Sequence, residues 1–249
     1  MLEIHSVAKS YKKSGLLRNN QHQVIHDVSA TFDSNTTVGI IGESGSGKST
    51  LGRLILGIEK PDQGSVTLNG APVHKRKFRQ HQISAVFQDY ISSLHPFQTV
   101  ATLLAEVMNY SGETPQKEIL TQSIQLLEEV GLSKTYLDKY PHMLSGGEAQ
   151  RVAIARAICV NPRYILLDEA ISSLDMSIQT QILDLLIHLR ESRQLSYIFI
   201  THDIQVATYL CDRLIIFKGG TIETELQTKD LSQTENAYTR ELIDKQLIF

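Results

Sequence analysis

A glycine-rich segment, GESGSGKST, is the sequence feature that most restricts how this chain can fold. It follows the apolar run VGII at residues 38–41 and precedes a stretch with helical apolar spacing, Leu51 to Gly57. The pattern GxxxxGK[ST] between a buried strand and a helix is typical of a phosphate site, because glycine backbone amides and the helix N-terminus attract anions. The nucleotide-binding residues predicted here are Gly42, Glu43, Ser44, Gly45, Ser46, Gly47, Lys48, Ser49 and Thr50.

Two carboxylates follow another apolar run, YILL at residues 164–167. We predict that Lys48 bridges the β- and γ-phosphates and that Ser49 ligates Mg²⁺ through its hydroxyl. A strand ending in two acidic residues is usually only a solvated strand end. Paired with the glycine-rich segment, however, it predicts that Asp168 holds Mg²⁺, through water, and that Glu169 orients and polarises the attacking water.

The pattern of apolar residues predicts an α/β fold. LEIHSV and QVIHDVSATF alternate at period two, as in half-buried antiparallel strands, whereas VGII, YILL and YIFI are continuous apolar runs typical of parallel strands covered on both faces. SVTL and AVFQ are further predicted strands, the second ending at Gln88, and RLIIF-KGG-TIETE is a predicted hairpin. Besides Leu51 to Gly57, helices are expected at Val100 to Met108, Glu118 to Val130, Glu148 to Cys159 and Gln179 to Ser192.

Length and charge exclude several classes of protein. The chain has 249 residues and 41% hydrophobic content, enough for one globular unit without a visible linker. Its formal charge of −3 provides no basic excess, so nucleic acid is not expected as a partner. No stretch approaches the roughly 20 apolar residues that cross a bilayer, so work at a membrane would require other subunits.

A second glycine-rich segment, LSGGEAQ at residues 144–150, also precedes a helix. Ser145 and Glu148 have the spacing of a capping box, in which each side chain bonds the other residue's backbone amide. Gly146 and Gly147 leave the neighbouring amides bare, as close approach to an anion would require. A helix start and an anion site are equally compatible with these residues alone.

The segment LSGGEAQRVAIARA, together with GESGSGKST, YILLDE, SSLD and THD in that order, resembles the ATP-binding cassette (ABC) ATPases. The resemblance implies a P-loop NTPase fold, with an ABC-type nucleotide-binding domain over residues 1–249. Within it we expect a RecA-like core sheet, an N-terminal antiparallel β layer and an inserted α-helical subdomain at about residues 89–157. ATP and Mg²⁺ are the implied cofactors, and ATP hydrolysis is the implied reaction.

The resemblance also implies site roles. In that family two cassettes pack head to tail, so that Ser145, Gly146, Gly147 and Glu148 of one would meet the γ-phosphate bound by the other. Gln88 matches the glutamine that reaches Mg²⁺ and the attacking water, Asp175 an aspartate that communicates across the dimer, and His202 a histidine that contacts the γ-phosphate. Tyr11 matches the aromatic residue that stacks on adenine, although a tyrosine on a strand edge is a competing interpretation.

The segments ISSLHP at residues 91–96 and AYTRELI at 237–243 resemble the peptide and nickel importer branch of the family. DYISSL and DEAISSLD are more similar to its nickel-transport ATPases than to its peptide ones. The resemblance therefore implies an importer of nickel, cobalt or another divalent metal, either as the ion or as a metallophore complex. Oligopeptide or dipeptide import is the alternative. A soluble cassette ATPase acting on nucleic acid or ribosomes is the rival from another class.

The importer branch implies partners and a location. They are a second ATPase subunit, giving a heterodimer, two membrane permeases and an extracellular substrate-binding protein, with the chain at the cytoplasmic side of the cell membrane. Val100, Leu103, Leu104 and Val107 are candidates for an apolar surface that meets a permease helix. The alternative is that these residues belong to the hydrophobic core.

Overall fold

The computed structural model describes residues 1–12, 21–89, 93–109 and 115–246. Within these ranges no helix is long and apolar enough to span a membrane. Tyr90, Ile91 and Ser92 of the DYISSL and ISSLHP segments lie outside the described residues.

The described part of the chain contains ten strands, eight α-helices and three short 3₁₀ helices, Lys134–Asp138, Pro141–Met143 and Thr228–Gln233. The strands are β1 (Leu2–Lys12), β2 (Gln21–Phe32), β3 (Thr37–Ile41), β4 (Gln63–Leu68), β5 (Ala71–Pro72), β6 (Ile83–Phe87), β7 (Tyr164–Asp168), β8 (Ser196–Thr201), β9 (Arg213–Lys218) and β10 (Thr221–Gln227). The helices are α1 (Lys48–Ile55), α2 (Arg76–Arg79), α3 (Val100–Met108), α4 (Gln116–Glu129), α5 (Gly146–Ile158), α6 (Met176–Arg193), α7 (Ile204–Leu210) and α8 (Ala237–Gln246).

An antiparallel sheet with the order β2-β1-β4-β5 contains the N-terminal strands. β1 and β2 pair with Leu2 opposite Phe32 and Ile4 opposite Ala30, and all four side chains are buried. Alternate residues of a strand point to the same face, so these apolar residues form the covered face of the sheet. The predicted antiparallel β layer is confirmed, and SVTL extends it as β4.

The core sheet has the order β10-β9-β3-β8-β7-β6. Strands β9, β3, β8, β7 and β6 run parallel, and only β10 is antiparallel, as the second strand of the predicted hairpin. The predicted parallel arrangement of VGII, YILL and YIFI is therefore confirmed, with these runs on the adjacent strands β3, β7 and β8.

The continuous apolar runs are explained by burial on both faces of the core sheet. Val38 and Ile40 of β3 belong to a hydrophobic cluster shared with the antiparallel sheet and α1, whereas Ile41 belongs to a second cluster shared with helices α3 to α8. Leu166 and Ile165 of β7 divide in the same way. Successive side chains point to opposite faces, and each face here is covered by another layer.

The helices between β6 and β7 are α3, α4 and α5. Val100, Leu103 and Leu104 of α3 are at most 1% exposed and belong to the hydrophobic core, so they do not offer the permease surface considered above. Val107 is half-buried. The assignment of a subdomain to about residues 89–157 stays a prediction.

Several boundaries differ from the sequence-based expectation. The helix expected from Leu51 begins at Lys48, and the strand expected to end at Gln88 ends at Phe87. The start of α1 was missed because Lys48 and Ser49 are polar, although they already have helical backbone geometry. α2, α7 and α8 were not predicted as helices, and the first two are only four and seven residues long.

Candidate functional site

The carboxyl ends of the core strands place the predicted site residues at one edge of the sheet. In the register of the parallel pairs, Ile41 lies opposite Thr201 and Phe87 lies opposite Asp168. Gly42, Gln88 and His202 each follow one of these strand ends directly. Residues that are far apart in the chain are thus brought together where parallel α/β sheets bind ligands.

The segment from Gly42 to Thr50 connects β3 to α1 and has the backbone of a phosphate-binding loop. Gly45 and Gly47 have φ angles of 78° and 105°, which favour glycine, and a Cβ atom at Gly42 would collide with the backbone oxygen of Phe217. The Ser46 hydroxyl is buried and has no hydrogen-bond partner among the described residues. Such an orphaned group beside the N-terminus of α1 fits a site built for a bound anion.

Lys48 is buried inside this loop. Its Nζ donates to the carbonyl oxygens of Gly42 at 2.7 Å and Glu43 at 2.9 Å. Burial lowers the pKa of Lys48 from its ordinary value, and the carboxylates of Glu169 and Asp168 partly oppose that shift. A buried cation close to two carboxylates is suited to receive a phosphate, which supplies negative charge and further acceptors.

Ser49 and Asp168 form the pair predicted to hold Mg²⁺. The Ser49 hydroxyl donates to Oδ1 of Asp168 at 3.2 Å. Burial raises the pKa of Asp168, the Ser49 hydrogen bond opposes the shift, and the charge of Glu169 adds to it. The Ser49 hydroxyl and the Asp168 carboxylate both offer oxygen atoms, and burial destabilises the negative charge of the carboxylate. Such a pair fits a hard divalent cation such as Mg²⁺.

Glu169 lies at a sharp turn after β7. Its backbone has a φ angle of 47°, in the left-handed region, and its N–H donates to the carbonyl oxygen of Ile200 at 2.9 Å. The carboxylate Oε1 lies 3.4 Å from Nδ1 of His202, whose side chain is 54% exposed. The turn thus directs the carboxylate toward the histidine that follows the neighbouring strand β8.

A mostly polar cavity of about 360 Å³ lies against the phosphate loop, Gln88 and Glu169. Its lining includes Gly45, Lys48, Ser49, Gln88 and Glu169. Gln88 therefore reaches the same space as the lysine and the predicted catalytic carboxylate, as expected from the sequence.

Tyr11 lies on β1, beside the loop rather than in the cavity lining. Its hydroxyl donates to Oε2 of Glu59 at 2.6 Å, and Arg53 pairs with Oε1 of the same carboxylate at 2.6 Å. Arg53 also donates to the Thr50 hydroxyl at 3.1 Å. This network links the tyrosine to the end of the phosphate loop, and its stacking on adenine stays a prediction.

Ser145 and Glu148 form the predicted capping box at the start of α5. The Ser145 N–H donates to Oε2 of Glu148 at 2.7 Å, and the Glu148 N–H donates to the Ser145 hydroxyl at 3.4 Å. The Tyr136 hydroxyl donates to the other carboxylate oxygen, and this bond, followed by the Ser145 amide bond, lowers the pKa of Glu148. The helix start is therefore well ordered, while Ser145 and Gly146 remain exposed.

Gly147 and Asp175 both lie next to Ile178 of α6. A Cβ atom on Gly147 would lie 2.8 Å from Cγ2 of Ile178, and Asp175 accepts from the Ile178 N–H at 3.0 Å. The hydrogen bond from the Ser177 hydroxyl is the main cause of a lowered Asp175 pKa. None of these residues lines the cavity at Lys48, so the structure separates the second glycine-rich segment from the first.

Three residues that contact the site were missed by the sequence analysis: Arg53, Glu59 and Gln246. Arg53 and Glu59 hold Tyr11 and Thr50 as described above. Gln246 bonds the backbone of His202 from α8. No local motif marks them, because each contact depends on segments that meet only in the folded chain.

The family model described as ABC transporter matches residues 25–172. Over 249 residues the chain is 67% identical to the metal-staphylopine import system ATP-binding protein CntF of Staphylococcus aureus (strain NCTC 8325 / PS 47), covering 100% of both chains. It is 38% identical to the nickel import ATP-binding protein NikE of Escherichia coli (strain K12) over 244 residues, which cover 95% of this chain and 91% of NikE.

A solved structure extends the similarity to three dimensions. The dimeric ATP-binding cassette MJ0796, in a post-hydrolysis state bound to ADP and phosphate, is 30% identical to this chain with a TM-score of 0.81. The similarity covers 92% of this chain and 99% of that one. The matched family model, the relatives covered over at least 91% of their length and the shared fold together show that this chain belongs to the ABC transporter family, as an ATP-binding, ATP-hydrolysing cassette.

Proposed function

We propose that this chain is the energy-coupling ATPase of a membrane importer for a divalent metal such as nickel or cobalt, carried as a metallophore complex. The observation that carries the proposal is the 67% identity, without gaps in coverage at either end, to an ATPase named for metal-staphylopine import. The 38% identity to a nickel import ATPase supports the same cargo class. Oligopeptide or dipeptide import is the alternative, but neither of these relatives is named for peptides.

The phosphate loop and its neighbours would carry the chemistry. Lys48 would bind the β- and γ-phosphates of ATP, while Ser49, Asp168 and Gln88 would hold Mg²⁺, which supplies charge neutralisation when bound. Glu169 would orient and polarise the water whose oxygen attacks the γ-phosphorus as the bond to the β–γ bridging oxygen breaks. Tyr11 would stack on adenine.

His202 would contact the γ-phosphate beside Glu169. His202 Nδ1 lies 3.4 Å from Glu169 Oε1, which supports this role, because a γ-phosphate next to this pair would be within reach of both side chains. The pair would then be sensitive to whether the γ-phosphate is still present. Hydrolysis can shift a conformational equilibrium only if some contacts differ between the ATP-bound and the ADP-bound protein, and these two side chains would provide such contacts.

A second cassette would complete each ATP site. Ser145, Gly146, Gly147 and Glu148 do not line the cavity at Lys48, and their exposed helix start is suited to an anion on another chain. Asp175 lies on the same surface and would contact the partner cassette. The dimeric state of the similar cassette MJ0796 supports this arrangement.

The proposal includes further partners and a place in the cell. Two permeases would carry the cargo across the membrane, an extracellular binding protein would deliver it, and this chain would lie on the cytoplasmic face through the permeases. The second cassette would be a different ATPase subunit. Loss of the γ-phosphate would remove a ligand that both cassettes contact, so hydrolysis would shift the pair toward an open state.

Reconstitution of the whole transporter tests the cargo. The complex in lipid vesicles should hydrolyse ATP faster when its binding protein carries nickel–staphylopine than when it carries a dipeptide or nothing. Radioactive nickel should accumulate only in the presence of staphylopine and ATP. Stimulation by the dipeptide alone would favour the peptide alternative, and stimulation by RNA or ribosomes without permeases would favour the soluble class.

A further inference from the structure

The helix α8 returns to the catalytic edge of the core sheet. Nε2 of Gln246 donates to the carbonyl oxygen of His202 at 2.7 Å, and Oε1 of Gln246 accepts from the backbone N–H of Ile204, also at 2.7 Å. The Gln205 side chain donates to the carbonyl oxygen of Gln246 at 3.1 Å. The two bonds of the Gln246 side chain therefore fasten the turn that carries His202 to a residue that lies 42 and 44 positions later in the chain.

The Gln246 side chain donates one of its two hydrogen bonds and accepts the other. Ile204 is the first residue of α7, so its N–H has no acceptor within the helix. Asp203 caps the Val206 amide at 3.1 Å, and Gln246 satisfies the Ile204 amide. Only a primary amide, as in Gln or Asn, presents an N–H donor and a carbonyl acceptor side by side for such a pair of backbone groups.

Gln246 is presented by a helix that is firmly docked. Tyr238, Thr239 and Leu242 of α8 are 5%, 0% and 3% exposed. Asn236 accepts from the Thr239 N–H at 2.8 Å and so caps the start of the helix. The position of the Gln246 amide is thus set by the docking of α8, which also contacts the phosphate loop through the ion pair between Lys245 and Glu43 at 3.4 Å.

His202, in contrast, receives little support from its own side chain. Its imidazole is 54% exposed, and Glu169 at 3.4 Å is its one polar contact among the described residues. The direction in which the ring leaves the end of β8 therefore depends on the backbone from His202 to Ile204. Gln246 fixes both ends of that short turn.

We propose that Gln246 is a positioning residue for His202, holding the backbone of the His202 turn so that the imidazole faces Glu169 and the γ-phosphate. The inference rests on the proposed role of His202. Binding of the adenine and of the α- and β-phosphates does not involve this turn. Loss of the Gln246 amide should therefore slow hydrolysis without weakening the binding of ATP.

Steady-state kinetics of the assembled complex test this inference. Gln246→Met keeps the length of the side chain and removes both bonds, so kcat should fall roughly tenfold while KM for ATP stays within about twofold. Gln246→Glu keeps the acceptor for Ile204 and loses the donor to His202, so its kcat should be intermediate. Gln205→Ala is the matched control, because it removes a bond between the same segments without touching His202, and it should leave kcat unchanged.

A double-mutant cycle with His202→Ala shows whether Gln246 acts through the histidine. Once His202 is absent, Gln246→Met should cost little further kcat. Equal multiplicative losses in both backgrounds would overturn the inference, and so would full activity of Gln246→Met when His202→Ala is inactive. A fully active His202→Ala would instead overturn the proposed role of His202 itself.

Hydrogen exchange provides a readout that does not depend on activity. The Ile204 amide should exchange faster in Gln246→Met than in the unaltered chain or in Gln205→Ala, because its acceptor is lost. Other amides of α7 and α8 should keep their protection, which would show that the variant is folded. Unchanged exchange at Ile204 would overturn the inference even if kcat were lower.

Discussion

Several charged side chains at the carboxyl edge of the core sheet are buried, which costs folding stability but prepares them to bind a phosphate and a cation. Asp168 and Glu169 are adjacent carboxylates, and burial raises the pKa of Asp168. Lys48 is a buried ammonium whose pKa is lowered by desolvation. Charges that are poorly solvated in the folded chain are ready to be neutralised by a phosphate and a cation.

The Glu169→Gln variant tests the catalytic carboxylate. Glutamine keeps the size of the side chain but cannot polarise water as a carboxylate does, so we expect ATP affinity to be retained and turnover to fall by at least about 100-fold. Phosphate release and direct ATP titration measure the two effects. Glu191→Gln makes the same chemical change on the exposed face of α6 and should be fully active. Near-normal turnover by Glu169→Gln would remove this assignment.

The Asp168→Asn variant tests the electrostatic cost of the site. The raised pKa means that the folded chain binds this proton more tightly than the unfolded chain. The stabilisation by Asp168 is therefore complete below about pH 3.9, the unfolded pKa, and is lost as the pH rises through the folded pKa. At neutral pH, removing the ionised carboxyl should raise the Tm of the nucleotide-free chain by about 2–4 °C.

Controls separate this effect from a general change of charge. Asp33→Asn alters an exposed aspartate and should leave Tm unchanged. The gain in Asp168→Asn should shrink as the pH is lowered toward 4, roughly the unfolded pKa of Asp. Mg²⁺ and ATP together should stabilise this variant less than the unaltered chain. A lower Tm for nucleotide-free Asp168→Asn at neutral pH would contradict the account.

At the scale of elements, local patterns predicted the strands well and the short helices poorly. The runs VGII, YILL and YIFI specify β3, β7 and β8 because each is apolar on both faces. α7 has only seven residues and α2 only four, too few for a helical period to show. The bonds of Gln246 to the His202 turn have no sequence signature, since they join segments that are 42 and 44 positions apart.

The Ser145→Ala variant tests the capping box of α5. Loss of the serine oxygen leaves the Glu148 N–H without its cap, so the free energy of unfolding should fall by about 1 kcal/mol. Denaturant unfolding measures the change. Ser133 also precedes a helical turn but makes no side-chain cap bond, so Ser133→Ala is the matched control and should cost less. Equal stability of Ser145→Ala and the unaltered chain would show that the cap contributes little.

At the scale of the whole molecule, the two glycine-rich segments lie on different surfaces of one chain. The first forms the cavity at Lys48, and the second begins α5 outside that cavity. Motif order in the sequence predicted both segments, and the resemblance to ABC ATPases predicted their separation.

Dilution of the ATPase pair tests this division of the site. If a second cassette completes each site, as proposed, hydrolysis per chain should fall as the protein is diluted from micromolar to nanomolar concentration at saturating ATP. Binding of ATP to Glu169→Gln, followed on the same dilution series, reports whether single chains still bind nucleotide. Hydrolysis per chain that is independent of concentration would contradict a composite site.

Burial of the core sheet on both faces has a consequence for dissecting the protein. β3 and β7 each contribute side chains to two separate hydrophobic clusters, one toward the antiparallel sheet and one toward the helices. A truncated chain that lacks either layer would expose the apolar residues on one whole face of these strands to solvent. We therefore expect such truncated chains to aggregate and not to fold into smaller nucleotide-binding domains.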